Sequence, residues 1–158
     1  MKLSIKLYFS LLLLALIVIA GCSAKGSSNG ITGNSVIENT ITIFKDSSCG
    51  CCDIYAGYMD KKGFDVKTET TNMESVKEKY GIPYSMQSCH TTIIDNYFVE
   101  GHVPVEAVEK LMKEKPDIKG IALPGMPSGS PGMTGSKQGS FIVYAIHKDG
   151  STSEFMRI

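Results

Sequence analysis

A β-branched run that stops at the crowded turn Cys49-Gly50-Cys51-Cys52, an exchange of strand-like and helix-like segments behind it, and an Asp149-Gly150 hairpin signal predict one fold class. It is α/β, a thioredoxin-like sandwich with an additional C-terminal β-hairpin. Residues 40–44 form the first strand. A helix over about 51–62 presents Ile54, Tyr55, Tyr58 and Met59 on one face until Gly63 ends it. Residues 64–68 alternate as a strand does. Asn72 caps a second helix through Tyr80, broken at Gly81-Ile82-Pro83. Short strands at 91–95 and 97–100 meet at Asp95-Asn96; Pro104 then opens a helix through Lys115, which Pro116 stops. Residues 141–147 and 152–158 flank Asp149-Gly150 as the closing hairpin.

Residues 1–22 read as an address label. Lys2 and Lys6 precede an apolar run over 7–20, short for a membrane span, which closes with Ile19-Ala20-Gly21-Cys22. This resembles a bacterial lipobox, implying cleavage before Cys22, lipidation of that thiol and tethering on the outer face of a membrane. The plain alternative is an uncleaved anchor, or an ordinary signal peptide with a chance cysteine; small residues at the cleavage position favour the lipobox, and in either case the domain lies outside the cytosol. Residues 1–21 are therefore expected to be a lipoprotein signal peptide, 22–38 the lipidated cysteine and a flexible linker, and 39–158 the thioredoxin-like domain. The Ser-, Gly- and Asn-rich stretch 23–35 is too poor in apolar residues to offset the entropy of ordering, and its random-coil reach is about 20 Å.

The 158 residues carry 16 basic and 16 acidic side chains. Loss of Lys2 and Lys6 with the signal peptide leaves fourteen against sixteen, a formal charge near −2. No basic stripe exists, which excludes a nucleic-acid partner. A single domain of this size buries roughly two-thirds of its unfolded surface, so its cysteines are not needed as staples. They are free for chemistry.

Cys49 and Cys52 have the spacing of a dithiol redox pair, but Cys51 adds a thiol that such a pair does not require. Cys89 alone would pass for a small buried hydrophobe. In a thioredoxin-like fold, however, the turn before the third strand faces the redox turn, and a cis-proline ordinarily occupies it. Here Cys89-His90 stands there, directly ahead of Thr91, with Pro83 too far upstream to substitute. That sets a fourth sulfur opposite the triplet, with His90 ligating or orienting. For His102, between Gly101 and Pro104, a capping or surface role stands level with metal contact. His147 is read as solvent-exposed and outside the site. The Gly/Pro/Ser stretch 123–140 is one long loop presenting Met126 and Met133, either as thioether ligands or as cover for apolar surface. Met59, Met73, Met112 and Met156 fall on helix or strand patterns as packing residues.

The chain also carries Gly81-Ile82-Pro83, Ser88-Cys89-His90-Thr91, Glu100-Gly101-His102-Val103-Pro104, Gly125-Met126-Pro127 and Gly129-Ser130-Pro131-Gly132-Met133. Together with Cys49-Gly50-Cys51-Cys52, and in this order, these motifs resemble the CopG-type periplasmic copper-resistance, metal-binding proteins over about residues 41–158. The resemblance implies a thioredoxin-like fold, Cu(I) held as a thiolate cluster, and a role in handling copper outside the cytoplasm. There is one departure. Many relatives place a Trp and then a His in the helix after the cysteines, where this chain has Tyr55 and Tyr58, so one potential imidazole ligand is missing and a different cluster nuclearity or affinity is expected.

Physical chemistry points the same way. A helix N-terminus favours thiolate, soft thiolates select Cu(I), and adjacent Cys51 and Cys52 cannot easily join Cys49 on one tetrahedral ion, which favours several bridged ions. Buried structural sulfur or structural zinc is the bland alternative, but a structural zinc site usually shows two separated ligand pairs, whereas this chain has one crowded triplet. The expected metal ligands are Cys49, Cys51, Cys52 and Cys89, with His90, His102, Met126 and Met133 as further candidates. The function expected is that of an extracytoplasmic, lipid-anchored Cu(I)-binding protein of copper homeostasis and resistance, with a multinuclear site and room for copper redox activity. Its partners are copper ions, the membrane through the lipid anchor, and other extracytoplasmic copper-handling or redox proteins. The alternative is a thiol–disulfide oxidoreductase in which Cys49 attacks and Cys52 resolves; whether the chain is an enzyme stays open.

Overall fold

The computed structural model describes residues 39–158. The expected signal peptide, Cys22 and the linker through residue 38 lie outside the described residues. Seven strands form one mixed sheet in the order β2-β1-β3-β4-β5-β6-β7: β1 Thr40–Lys45, β2 Asp65–Thr70, β3 His90–Ile94, β4 Tyr97–Glu100, β5 Gly120–Ala122, β6 Ile142–Ile146 and β7 Thr152–Arg157. The helices among the described residues are α1 Gly50–Lys61, α2 Met73–Tyr80 and α3 Val105–Glu114, with a 3-10 turn at Tyr84–Met86. None of them is long and apolar enough to cross a membrane. The architecture is α/β, as expected.

β1 lies parallel to β2 and antiparallel to β3, so the chain leaves β1 through the cysteine turn and returns by α1. β3 and β4 form an antiparallel hairpin, and β4 runs parallel to β5 with α3 as the crossover. β6 and β7 make the expected terminal hairpin, interrupted by a bulge at Val143/Tyr144. One strand was not foreseen. β5 inserts between the hairpins β3–β4 and β6–β7, joining them into a continuous sheet.

Strand alternation divides the apolar residues between two faces. Ile41 and Ile43 of β1, Val99 of β4, Ile121 of β5, and Val143 and Ala145 of β6 pack with Tyr55, Ala56 and Met59 of α1 and Val108 and Leu111 of α3 in the main core. Phe98, Ala122 and Ile146 belong to a smaller cluster with Ile82, against which Tyr80 at the end of α2 packs. The buried stripe of α1 is Cys52, Tyr55, Ala56 and Met59, at helical spacing. Ile54 is off that stripe and 60% exposed, contrary to the sequence expectation.

Local signals set the helix ends. The Asn72 side chain accepts from the amides of Glu74 and Ser75 at 2.9 and 3.3 Å, and Gly81 closes α2 in the left-handed region at φ 61°. Pro104 precedes α3 and offers no side-chain cap. The Val105 amide instead donates to the Tyr58 hydroxyl at 3.0 Å, while the Tyr55 hydroxyl donates to the Val103 carbonyl at 2.9 Å. Tyr55 and Tyr58, standing where relatives were expected to have Trp and His, thus fasten α1 to the entry of α3.

Candidate metal centre

The cysteine turn is built by Asp46, whose carboxylate accepts from the Ser48 amide at 2.9 Å and the Ser48 hydroxyl at 2.7 Å, while its carbonyl accepts from the Cys49 amide at 3.2 Å. These hydrogen bonds hold the exposed Asp46 carboxyl below its ordinary range. Lys45, buried at the end of β1, pairs with Asp53 in the first turn of α1 at 3.0 Å and so ties the two flanks of the turn together. Cys49 and Cys52 are joined by a disulfide, with their Cα atoms 5.4 Å apart. Cys52 is fully buried, whereas Cys49, Cys51 and Cys89 are half-buried.

Cys89 ends the segment before β3, and its sulfur does reach the triplet. The Sγ atoms of Cys49, Cys51, Cys52 and Cys89 all lie within 4.8 Å of one another, with Cys49 and Cys51 3.6 Å apart. A second group shares Cys89: its sulfur is 3.4 Å from Nδ1 of His90 and 3.0 Å from Nε2 of His102. The two imidazoles meet edge to face at 4.7 Å, and the Tyr55 ring lies 4.5 Å from His90, walling off the core side.

For His102 the sequence held a capping or surface role level with metal contact. The side chain is fully buried. The loop that buries it comes from far along the chain, with the Pro131 carbonyl 2.6 Å from His102 Nδ1. Burial also sets the electrostatics. It holds the His102 pKa below its usual value against the opposing pull of the Pro131 carbonyl, and it takes His90 down to about 3, assisted by neighbouring His102 and Lys77. Both rings are therefore neutral at pH 7, the form that binds metals. Burial, reinforced by nearby Cys51, pushes the Cys89 thiol up to about 11, so a metal taken here must displace its proton.

The donor set fits a soft or borderline transition metal: four sulfurs and two neutral imidazoles, with no carboxylate among the clustered groups. His90 Nε2 is buried without a hydrogen-bond partner, a cost that a ligand could relieve. With the disulfide closed, the free donors are Cys51, Cys89 and the two histidines. Two-electron reduction makes all four thiols available.

Met133 is half-buried in the loop that covers His102, and Met126 is 43% exposed. His147 is partly exposed and bonded to Ser153 at 2.8 Å, away from the cluster as expected. Sequence reasoning missed a buried ion pair beside the site, Lys77 with Glu100. Burial raises the Glu100 carboxyl, while Lys77 and hydrogen bonds from Thr91 and Ser88 pull it down. The glutamate lay within the motif around His102, but nothing local marked its partner on α2.

Comparison with known proteins agrees with these features. A family profile described as "Protein of unknown function, DUF411" matches residues 86–133, the span from just before Cys89 to Met133. Two solved structures, of "Copper resistance protein copG" in form 2 and form 1, are each 41% identical to this chain with a TM-score of 0.70. Each covers 75% of this chain, which in turn covers 97% and 96% of theirs. No curated protein matches it.

Proposed function

Because this chain belongs to the CopG-type copper-resistance family and has a copper-related function, we propose that it is an extracytoplasmic Cu(I)-binding protein of copper homeostasis. In this reading Cys49, Cys51, Cys52 and Cys89 hold more than one Cu(I) ion, with His90 and His102 completing the set and Met126 and Met133 supplied by the covering loop. The observation that carries it is the approach of four sulfurs to within 4.8 Å. Once the Cys49–Cys52 disulfide is reduced, four thiolates so close would repel one another unless cations bridged them, and thiolate softness favours Cu(I). A thioredoxin-like ancestry for the core is supported by the order β2-β1-β3-β4 and by the cysteine turn at the β1–α1 junction.

One observation favours a second reading. The Cys49–Cys52 disulfide has a half-buried first cysteine and a buried second one, as a thiol–disulfide oxidoreductase requires of its attacking and resolving thiols. Cys51→Ser separates the two. A copper cluster losing a bridging thiolate binds fewer Cu(I) ions, or binds them at least about tenfold more weakly, nearly as in Cys49→Ser and Cys52→Ser. Anaerobic titration with a Cu(I) chelator as competitor reads this out. Full copper binding by Cys51→Ser, with disulfide exchange lost only in the other two variants, favours the oxidoreductase.

The proposed location is a lipid-anchored one, supported by Ile19-Ala20-Gly21-Cys22. Cys22→Ser should abolish lipid labelling and cleavage; a variant that still incorporates lipid removes this part of the reading.

A further inference from the structure

We infer that Glu100, paired with Lys77, is a positioning residue for the metal centre: it clamps the Ser88 peptide and thereby holds the Cys89 sulfur against Cys51 and His102. The inference rests on the copper reading for its ligand, but its geometry stands independently of that reading.

Glu100 is fully buried at the end of β4, two residues before His102, and pairs in register with Thr91 of β3. Its Oε1 accepts from the Ser88 amide at 2.5 Å and from Lys77, while Oε2 accepts from the Thr91 hydroxyl at 2.6 Å. Lys77 Nζ also donates to the Ser88 carbonyl at 2.6 Å. Both backbone groups of the residue preceding Cys89 are therefore held by one ion pair. Apolar residues of similar volume usually stabilise a core as well as a buried ion pair does, so stability alone gives no reason for charges here. An apolar pair could not grip a peptide at both its amide and its carbonyl.

The next residue completes the lock. Gly101 has φ +80°, and a Cβ on it would come within 2.7 Å of both the Ser88 hydroxyl and the Leu123 carbonyl. Its amide donates to the His90 carbonyl at 3.0 Å. The turn bearing His102 thus packs directly on the turn bearing Cys89, and the 3.0 Å approach of Cys89 Sγ to His102 Nε2 follows from that packing.

The test uses the full chain with Cys22→Ser, which removes the thiol outside the site, and adds Lys77→Met with Glu100→Leu so that no buried charge is left unpaired. In the folded, metal-free, disulfide-closed variant, iodoacetamide should modify Cys89 several-fold faster than in the parent, as read by peptide mass spectrometry. After reduction its Cu(I) affinity, measured against a chromophoric chelator, should fall by about tenfold or more, the scale for losing a ligand-orienting partner. Unchanged Cu(I) affinity in the folded variant overturns the inference whatever the alkylation rate. A parent chain that binds no Cu(I) removes the copper reading instead and leaves the alkylation rate, which needs no metal, to decide the positioning role: faster supports it, unchanged overturns it. Should the double variant not fold, Glu100→Asp keeps the charge, draws the carboxylate back by one methylene, and is judged by the same two measurements.

Discussion

Cys89 Sγ faces a lone pair on His102: the sulfur lies 3.0 Å from Nε2, and Nδ1 of the same ring lies 2.6 Å from the Pro131 carbonyl. A carbonyl oxygen can only accept, so the single proton of this neutral imidazole sits on Nδ1 and donates to Pro131. Metal-binding histidines are commonly oriented in this way, through a second partner on the far nitrogen.

Gly132 makes that arrangement testable. Its φ is +83°, and a Cβ there would lie 3.0 Å from the Cys51 carbonyl and the Tyr55 amide and 3.2 Å from His102 Nδ1. Gly132→Ala should push the covering loop outward and take the Pro131 carbonyl away from the ring. Copper affinity should drop about 10- to 100-fold, as when such orienting contacts are lost. A competition titration that matches the wild type would show that the loop only covers the site.

His90 predicts how the metal-free protein responds to acid. Its folded-state pKa of about 3 lies below the ordinary 6.5. Between those values the unfolded chain binds a proton that the folded chain refuses, so the stability contributed by neutral His90 is present above pH 6.5 and is lost as pH falls toward 3. The slope from this group approaches 1.4 kcal/mol per pH unit. Denaturant unfolding between pH 7 and pH 4 should show a shallower loss in His90→Gln than in the wild type. Parallel profiles would mean that other groups dominate the acid response.

Tyr58→Phe should cost about 1 kcal/mol, because the Val105 amide at the uncapped start of α3 loses its acceptor. Chemical denaturation measures this directly, and a midpoint equal to the wild type would show that water satisfies the amide equally well.

How far the sequence could be read depended on the range of the interactions involved. The cysteine turn was legible because spacing and the strand-to-helix junction are local, and Cys89 because it immediately precedes a recognisable strand. For His102 the sequence left two roles level, because its burial depends on Pro131 and Gly132, and no periodicity links those positions. β5 was missed because three residues are too few to display an alternation. Its first residue, Gly120, argues locally against a strand, and is required there because a Cβ would come within 2.7 Å of the Phe98 ring. Ile54 went wrong for the opposite reason: it is apolar, yet one step around the helix from the stripe formed by Cys52, Tyr55 and Met59.

The two outermost strands leave the sheet with charged open edges. β2 exposes Asp65, Lys67 and Glu69, and β7 exposes Glu154 and Arg157, with a bulge where β7 pairs with β6. Charged and irregular edges discourage the backbone pairing through which sheets from separate molecules fuse. Such fringes lose their reach as ions accumulate around them, so the protection they give the sheet's open sides weakens as electrolyte concentration rises.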